Sequence, residues 1–149
     1  MKLIPNQYDS GDCFFCGESN PVGLKLTFYE TDTEPRELVC RWSPPSIYKG
    51  LGRILHGGIQ SGLFDEIMGW TTGHFFKQSG VTLGLNIRFL KPVFVEQEIE
   101  IRCRIDSQDR DKVHLIAEIT NEKGILCTKA TGTYLMLSPE RFKSVVGKD

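Results

Sequence analysis

His56-Gly57-Gly58, Asp65-Glu66 and Thr82 are the residues whose types and spacing could do chemistry. Two consecutive glycines let a ligand come close to backbone N–H groups. Where a helix starts, the first N–H groups have no internal partner and carry partial positive charge. Such a place can polarise a carbonyl oxygen, as an oxyanion hole does. A carboxylate beside it can act as general base on water, or attack an acyl carbon itself. Asp65 follows Gly57 by eight residues, which is about 12 Å along the axis at the helical rise. That is too far for both to serve one reacting carbon within a single subunit. Two subunits with antiparallel helices would set Asp65 of one opposite Gly57 of the other, a composite site at a twofold interface.

Each of these residues also has a plainer reading. Gly57-Gly58 can be a tight loop before a helix. His56 can bond to backbone and fix that loop, or serve as a base. Asp65 can pair with Arg88 or Lys91 in a buried bridge. Glu66 can be a satisfied or solvated partner, and Thr82 an ordinary strand residue. His74 and His114 read as surface residues. No Ser or Cys is placed as a nucleophile, and no carboxylate–histidine cluster has metal-ligand spacing. Cys13-Phe-Phe-Cys16 could hold half of a zinc site, but four ligands are normally needed. No second CxxC or Cys/His pair follows. A redox CxxC is expected beside a βαβ unit, and the pattern has none. The pair therefore reads as a turn in an arm, and no metal is expected.

The element that must position this chemistry runs over residues 55–76 and is uninterrupted by proline. It reads as one helix of about 30 Å. Ile59, Leu63, Ile67 and Trp70 form one apolar stripe; Phe64, Met68 and Phe75 form a second, almost opposite. Two apolar sides call for cover on both: the chain's own sheet on one, a second subunit or an apolar ligand on the other. Asp65 lies between the stripes and Glu66 nearer the Ile59 stripe. Burying either is costly unless it is paired, and periodicity leaves open which one is buried.

The rest of the chain reads as strands. Residues 1–23 form an irregular arm, and residues 24–149 a single domain. Residues 24–30 and 37–43 make a hairpin. After Gly80, Val81, Leu83, Leu85, Ile87 and Phe89 face one way; Thr82, Gly84, Asn86 and Arg88 face the other. Ile99, Ile101, Cys103 and Ile105 alternate, then Val113, Leu115, Ala117 and Ile119, and residues 125–137 form the last strand. Residues 107–111 and 121–124 are turns. The tail after Pro139 is charged and frayed. Five or six mostly antiparallel strands around one helix make an α+β layer.

A length of 149 residues suits one domain. Net charge is −1 and the pI about 6.3, which gives no electrostatic case for nucleic acid or a membrane surface. The first residues lack the apolar core of a signal peptide. Five cysteines, three of them in strand patterns, read as free thiols in a reducing compartment, hence a cytoplasmic protein.

Ile54-Leu55-His56-Gly57-Gly58-Ile59, then Leu63-Phe64-Asp65-Glu66, then Leu85-Asn86-Ile87-Arg88-Phe89-Leu90-Lys91-Pro92 resemble the hotdog-fold acyl-CoA thioesterases of the phenylacetate (PaaI-like) type. The resemblance extends over residues 13–136 and includes Cys13 to Gly17 and Asn20-Pro21-Val22-Gly23-Leu24. It implies a long helix wrapped by a curved antiparallel sheet, in a homodimer or homotetramer. It implies an acyl-CoA or other acyl-thioester substrate, with coenzyme A as part of that substrate and no separate cofactor. By the same resemblance Gly57 offers its N–H to the thioester carbonyl. Asp65 of the neighbouring subunit is nucleophile or general base, and Thr82 orients water. His56 organises the loop or contacts the thioester region, and Gly58 and Glu66 belong to the substrate-binding set. Some members carry Asn six residues before the motif His; here Gly50 stands there. A non-catalytic acyl-CoA-binding module on the same fold is the alternative, and an acyl-thioester hydratase or dehydratase a further one.

Overall fold

In the computed structural model the long helix, α1, spans Gly57–Phe76. The structure describes residues 1–6 and 11–147; residues 7–10 of the arm and 148–149 of the tail lie outside the described residues. Seven strands surround the helix: β1 Lys2–Ile4, β2 Phe28–Glu30, β3 Leu38–Trp42, β4 Gly80–Phe89, β5 Ile99–Asp109, β6 Lys112–Thr120 and β7 Leu126–Met136. They form one antiparallel sheet in the order β1-β2-β3-β5-β6-β7-β4. The chain thus leaves β3, crosses the sheet face as α1, and returns as β4 at the far edge.

The strand count exceeds the expected five or six because the arm is not irregular throughout. Lys2–Ile4 pairs with Phe28–Glu30. The expected strand over 24–30 shortens to its last three residues. Leu24 and Leu26 instead donate their N–H groups to Phe14 and Phe15 carbonyls at 2.9 Å each. The tail is likewise ordered as a second helix, α2, Pro139–Val146, capped by Ser138 accepting from Arg141 N, with proline in its first turn.

Most of both apolar stripes of α1 is buried within this one chain, with Ile59 and Phe75 half-buried. Leu63, Ile67 and Trp70, and Phe64 and Met68 opposite, are all buried. The sheet curls far enough to cover both. Phe28 stacks at 4.5 Å from Trp70 on one side. On the other, Met68 lies so close to Gly132 of β7 that a Cβ there would be 2.4 Å from its sulfur. Phe64 and Met68 of the second stripe thus find their cover within the chain. The face left open carries Gly58, Asp65 and, half covered, Ser61 and Gly69.

The alternation in β5 and β6 is as the pattern predicts, with Ile99, Ile101, Cys103, Val113, Leu115, Ala117 and Ile119 buried. In β4 it breaks. The pairing with β7 slips between Thr82 and Gly84, so Leu83 is an extra residue. A bulge of one residue turns every side chain before it to the other face. Thr82 pairs with Tyr134, whereas Leu85, Ile87 and Phe89 pair with Gly132, Ala130 and Thr128. Thr82 thus shares the helix-facing side with Leu85, Ile87 and Phe89, contrary to the uninterrupted alternation. All five cysteines are free; four are buried and Cys13 is half-buried. Burial pushes the Cys40 and Cys103 thiols up to about 12.

Candidate active site

The helix begins on a braced loop. His56 donates its N–H to Tyr48 O at 3.0 Å, and its ring Nδ1 accepts the Gly58 N–H at 2.8 Å. A neutral ring that accepts at Nδ1 carries its proton on Nε2. A Cβ on Gly58 would lie 3.0 Å from that Nδ1, so this glycine makes room for the cap. Gly57 differs. A Cβ there meets only the Phe89 ring at 3.5 Å, ordinary contact. Its N–H, one of the first in the helix, is not the one the His56 ring takes. Gly50, at the position of the family asparagine, packs against His56. Beneath the loop, the buried Gln60 donates to Leu55 O at 3.0 Å and accepts the Thr128 hydroxyl at 2.6 Å. This buried polar pair ties the helix start to β7. Nothing in the linear pattern distinguishes Gln60 from a surface glutamine. An apolar depression of about 380 Å³ opens beside the loop, lined by Gly50, Leu51, Ile54, Leu55, His56 and Gly57.

Two turns along the helix, Asp65 is exposed. Its Oδ1 accepts two hydroxyls, Thr82 Oγ1 at 2.5 Å and Tyr134 OH at 2.5 Å. These are the short distances of charge-assisted O–H···O⁻ bonds. The Tyr134 hydroxyl also lies 2.8 Å from the Asp65 main-chain oxygen; its one proton serves the nearer, charged acceptor. Among the described residues none donates to Oδ2. Thr82 and Tyr134 are cross-strand partners, so the bulge in β4 sets both hydroxyls against one carboxylate oxygen. The alternative bridge from Asp65 to Arg88 or Lys91 is not formed among the described residues. Arg88 instead lines a shallow depression on the far face with Asn86, Glu118 and Lys129. Burial, and then the hydrogen bond to Asp65, push the Tyr134 phenol well above its ordinary range. Tyr134 stays protonated and acts as a donor only. It escaped notice in the sequence because its partner is sixty-nine positions away; the clue was a tyrosine on the same side of the strand as the small Thr128, Ala130 and Gly132.

Glu66 points elsewhere. Its Oε1 accepts the Trp70 indole N–H at 3.3 Å and lies 3.5 Å from Cys13 Sγ. The structure thus brings Asp65 and Thr82 together, keeps His56, Gly57 and Gly58 together at the helix start, and sets Glu66 against the arm. Burial, then the neighbouring Glu66, push the Cys16 thiol up. The histidines expected at the surface are half-buried: His74 Nε2 lies 2.8 Å from Glu30 Oε2, and His114 Nδ1 lies 3.1 Å from Thr133 Oγ1.

A family model described as "Thioesterase superfamily" matches residues 52–128, just over half of the chain. The chain belongs to the thioesterase superfamily. It is 26% identical over 142 residues to the acyl-coenzyme A thioesterase THEM4 of Bos taurus, a match covering 94% of this chain. The chain spans 58% of the length of that curated relative. The PaaI protein of the E. coli phenylacetic acid degradation operon superposes with a TM-score of 0.69 at 16% identity, over 77% of this chain and 81% of that one. The smu.793 protein of Streptococcus mutans UA159, bound to acetyl CoA, superposes with a TM-score of 0.66 at 22% identity, over 74% and 89%. The expected hotdog fold, one long helix in an antiparallel sheet, is the fold of these superfamily structures. No helix in the described residues is long and apolar enough to cross a membrane.

Proposed function

We propose that the protein is an acyl-CoA thioesterase whose working carboxylate is Asp65, acting across a subunit interface. The observation that carries this reading is the state of Asp65. One oxygen is fixed by two hydroxyls and the other is open on the uncovered face of the helix. A carboxylate held in this way is oriented before substrate arrives, which is what a general base or nucleophile requires.

The reacting centre needs a second copy of the chain. β4 is a sheet edge, ten residues long, and exposes Leu83 and Phe89, with Leu90 just beyond. Edges of that length and apolarity invite pairing. Phe89 rests against Gly57 and Thr82 against Asp65, so β4 runs the length from helix start to carboxylate. A twofold axis beside it would bring Gly57 of one subunit toward Asp65 of the other. The Gly57 N–H then receives the thioester oxygen. Oδ2 of Asp65 takes a proton from water as that water's oxygen bonds to the acyl carbon, or itself attacks the acyl carbon to give a mixed anhydride that water then hydrolyses, freeing the carboxylate. The carbon–sulfur bond breaks and the leaving thiolate is protonated, giving a carboxylic acid and free coenzyme A. His56 holds the loop, Gly58 gives it room, and Thr82 and Tyr134 hold the carboxylate. The free thiols fit a reducing, cytoplasmic setting.

The test is hydrolysis of short, long and aromatic acyl-CoAs followed by thiol release, with Asp65→Asn alongside. Turnover abolished in the variant with acyl-CoA binding retained supports the reading. Saturable acyl-CoA binding without thiol release in the wild type would favour a binding module. Sedimentation equilibrium must find a dimer or larger; a strictly monomeric, active enzyme would sink the composite site.

A further inference from the structure

The arm and the helix meet at a second cluster, about 100° around the helix from Asp65. Cys13, Cys16 and Glu66 place two sulfurs and one carboxylate oxygen all within 4.8 Å of one another. Cys13 Sγ and Glu66 Oε1 are 3.5 Å apart. With zinc–sulfur bonds of about 2.3 Å and zinc–oxygen bonds of about 2.0–2.2 Å at the tetrahedral angle, S···O edges come to about 3.5–3.7 Å and S···S edges to about 3.8 Å. The Cys13–Glu66 edge already has the spacing of a shared ion, and the other two edges, within 4.8 Å, need only a small closure to reach it. We propose that Cys13, Cys16 and Glu66 bind a divalent zinc-class cation that straps the N-terminal arm to α1.

Several features make this a built site. Cys13 to Gly17 close a tight turn through Gly17 N→Cys13 O at 2.8 Å, and the Cys16 N–H points to Cys13 Sγ at 3.5 Å. Backbone N–H donors to a ligand sulfur are the outer partners that orient thiolates at metal sites. Gly17 cannot carry a side chain, since its Cβ would fall 2.4 Å from Cys13 N. The carboxylate is oriented in turn by the Trp70 indole N–H. The Asn6 amide donates to Cys16 O at 3.0 Å, and Phe15 seats against Gly62, one turn before Glu66. The turn is thus docked by apolar contact and hydrogen bonds before any ion binds. Two thiols and a carboxylate suit a borderline cation such as Zn²⁺ better than Mg²⁺ or Ca²⁺, which take oxygen donors. Binding releases the two thiol protons to solvent and leaves the fourth position for water. A scan for paired CxxC motifs overlooks the site because its third ligand comes from the helix.

The test uses untagged protein purified under reducing conditions. Metal analysis is expected to give about one zinc per chain. Apoprotein titrated with Co²⁺ should develop thiolate-to-cobalt charge-transfer bands and saturate at one equivalent. The conservative Glu66→Gln variant should bind at least about tenfold more weakly with an altered cobalt spectrum, and Cys13→Ser/Cys16→Ser should not bind at all. The proposal is overturned if wild-type apoprotein takes up neither metal, or if Glu66→Gln leaves affinity and spectrum unchanged. It also fails if reduced-and-purified protein carries a Cys13–Cys16 disulfide, seen as a lower intact mass. Thermal melts read the same outcome: Zn²⁺ should raise the wild-type Tm and leave the serine variant where it was. None of these readouts depends on thioester hydrolysis.

Discussion

Asp65 and Glu66 are adjacent, yet they live in different chemical surroundings. Asp65 looks across to β4 and β7, meets two hydroxyls, and is exposed. Glu66 looks to the arm, meets an indole N–H and a thiol, and is half-buried. A step of one residue around a helix is about 100°, enough to change a carboxylate's neighbours completely. What separates their roles is the strand or loop that each one faces, since the two side chains themselves are nearly alike. The sharpest way to break that contrast is to exchange the carboxylates for amides one at a time. Asp65→Asn should lower turnover by about 10²–10⁴-fold, and Glu66→Gln should cost far less, read as kcat on the best acyl-CoA. Equal losses would mean that the two sides are one site.

The helix start provides the next test. Proline is favoured at the first position of a helix, and His56, at φ −53° and ψ 133°, already has the extended backbone that a following proline demands. Gly57→Pro should therefore fold while removing the one N–H assigned to the thioester oxygen. Loss of an oxyanion donor costs about 10²–10³-fold in kcat, with KM little changed. A fully active proline variant would move the oxyanion site elsewhere. Tyr134→Phe is gentler, since Thr82 still holds Oδ1. Loss of one hydrogen bond to a charged group, worth about 1.5–3 kcal/mol, should lower kcat by about 10- to 100-fold. Near-additive loss with Thr82→Val would show that the two hydroxyls act separately rather than as a clamp.

The frame around this contrast was legible in the sequence, though not which carboxylate faces which side, and the missing parts have specific physical causes. The helix declares itself through its length, its glycine start and the absence of proline, and β5 and β6 through alternation over seven residues each. His-Gly-Gly, Asp-Glu and Thr82 stand at positions that motif spacing picks out. What periodicity cannot supply is pairing between distant segments. Tyr134 meets Asp65 only because β7 pairs with β4 in one register, and Thr82 faces the helix only because of the Leu83 bulge. Both facts belong to the sheet, and neither belongs to any local window. Glu66 and Cys13 meet for the same reason, across a fold that brings the arm back over the helix. Strand β1 is three residues long, too short for alternation to register, and α2 was masked by its charge.

On the arm side the largest expected effect is on stability. Phe15 presses into the space above Gly62, where a Cβ would lie 2.1 Å from the ring. Gly62→Ala should therefore cost about 1–3 kcal/mol as an overpacked contact, offsetting the gain in helix propensity from alanine. Turnover per folded molecule should hold, because the change is on the Glu66 side. Urea unfolding followed by tryptophan fluorescence checks the first part and active-site-normalised kcat the second. A stable variant would mean that the arm lifts away freely. A folded but inactive one would show that the arm reaches the Asp65 side after all.

The smallest effect should come from Glu30, at the far end of the same face. The hydrogen bond from His74, and after it the Arg36 guanidinium, hold this carboxyl below the ordinary 4.5 in spite of its burial. The folded state thus binds its proton less readily than the unfolded chain. The resulting stability is fully present above about pH 4.5 and is lost as pH falls through the lower folded value. Glu30→Gln removes the charge and keeps the shape. The gap in urea midpoint between wild type and variant should be flat from neutral pH to about 5, and should narrow as the wild-type carboxyl protonates. A gap unchanged to well below the carboxylate range would assign Glu30 to packing alone.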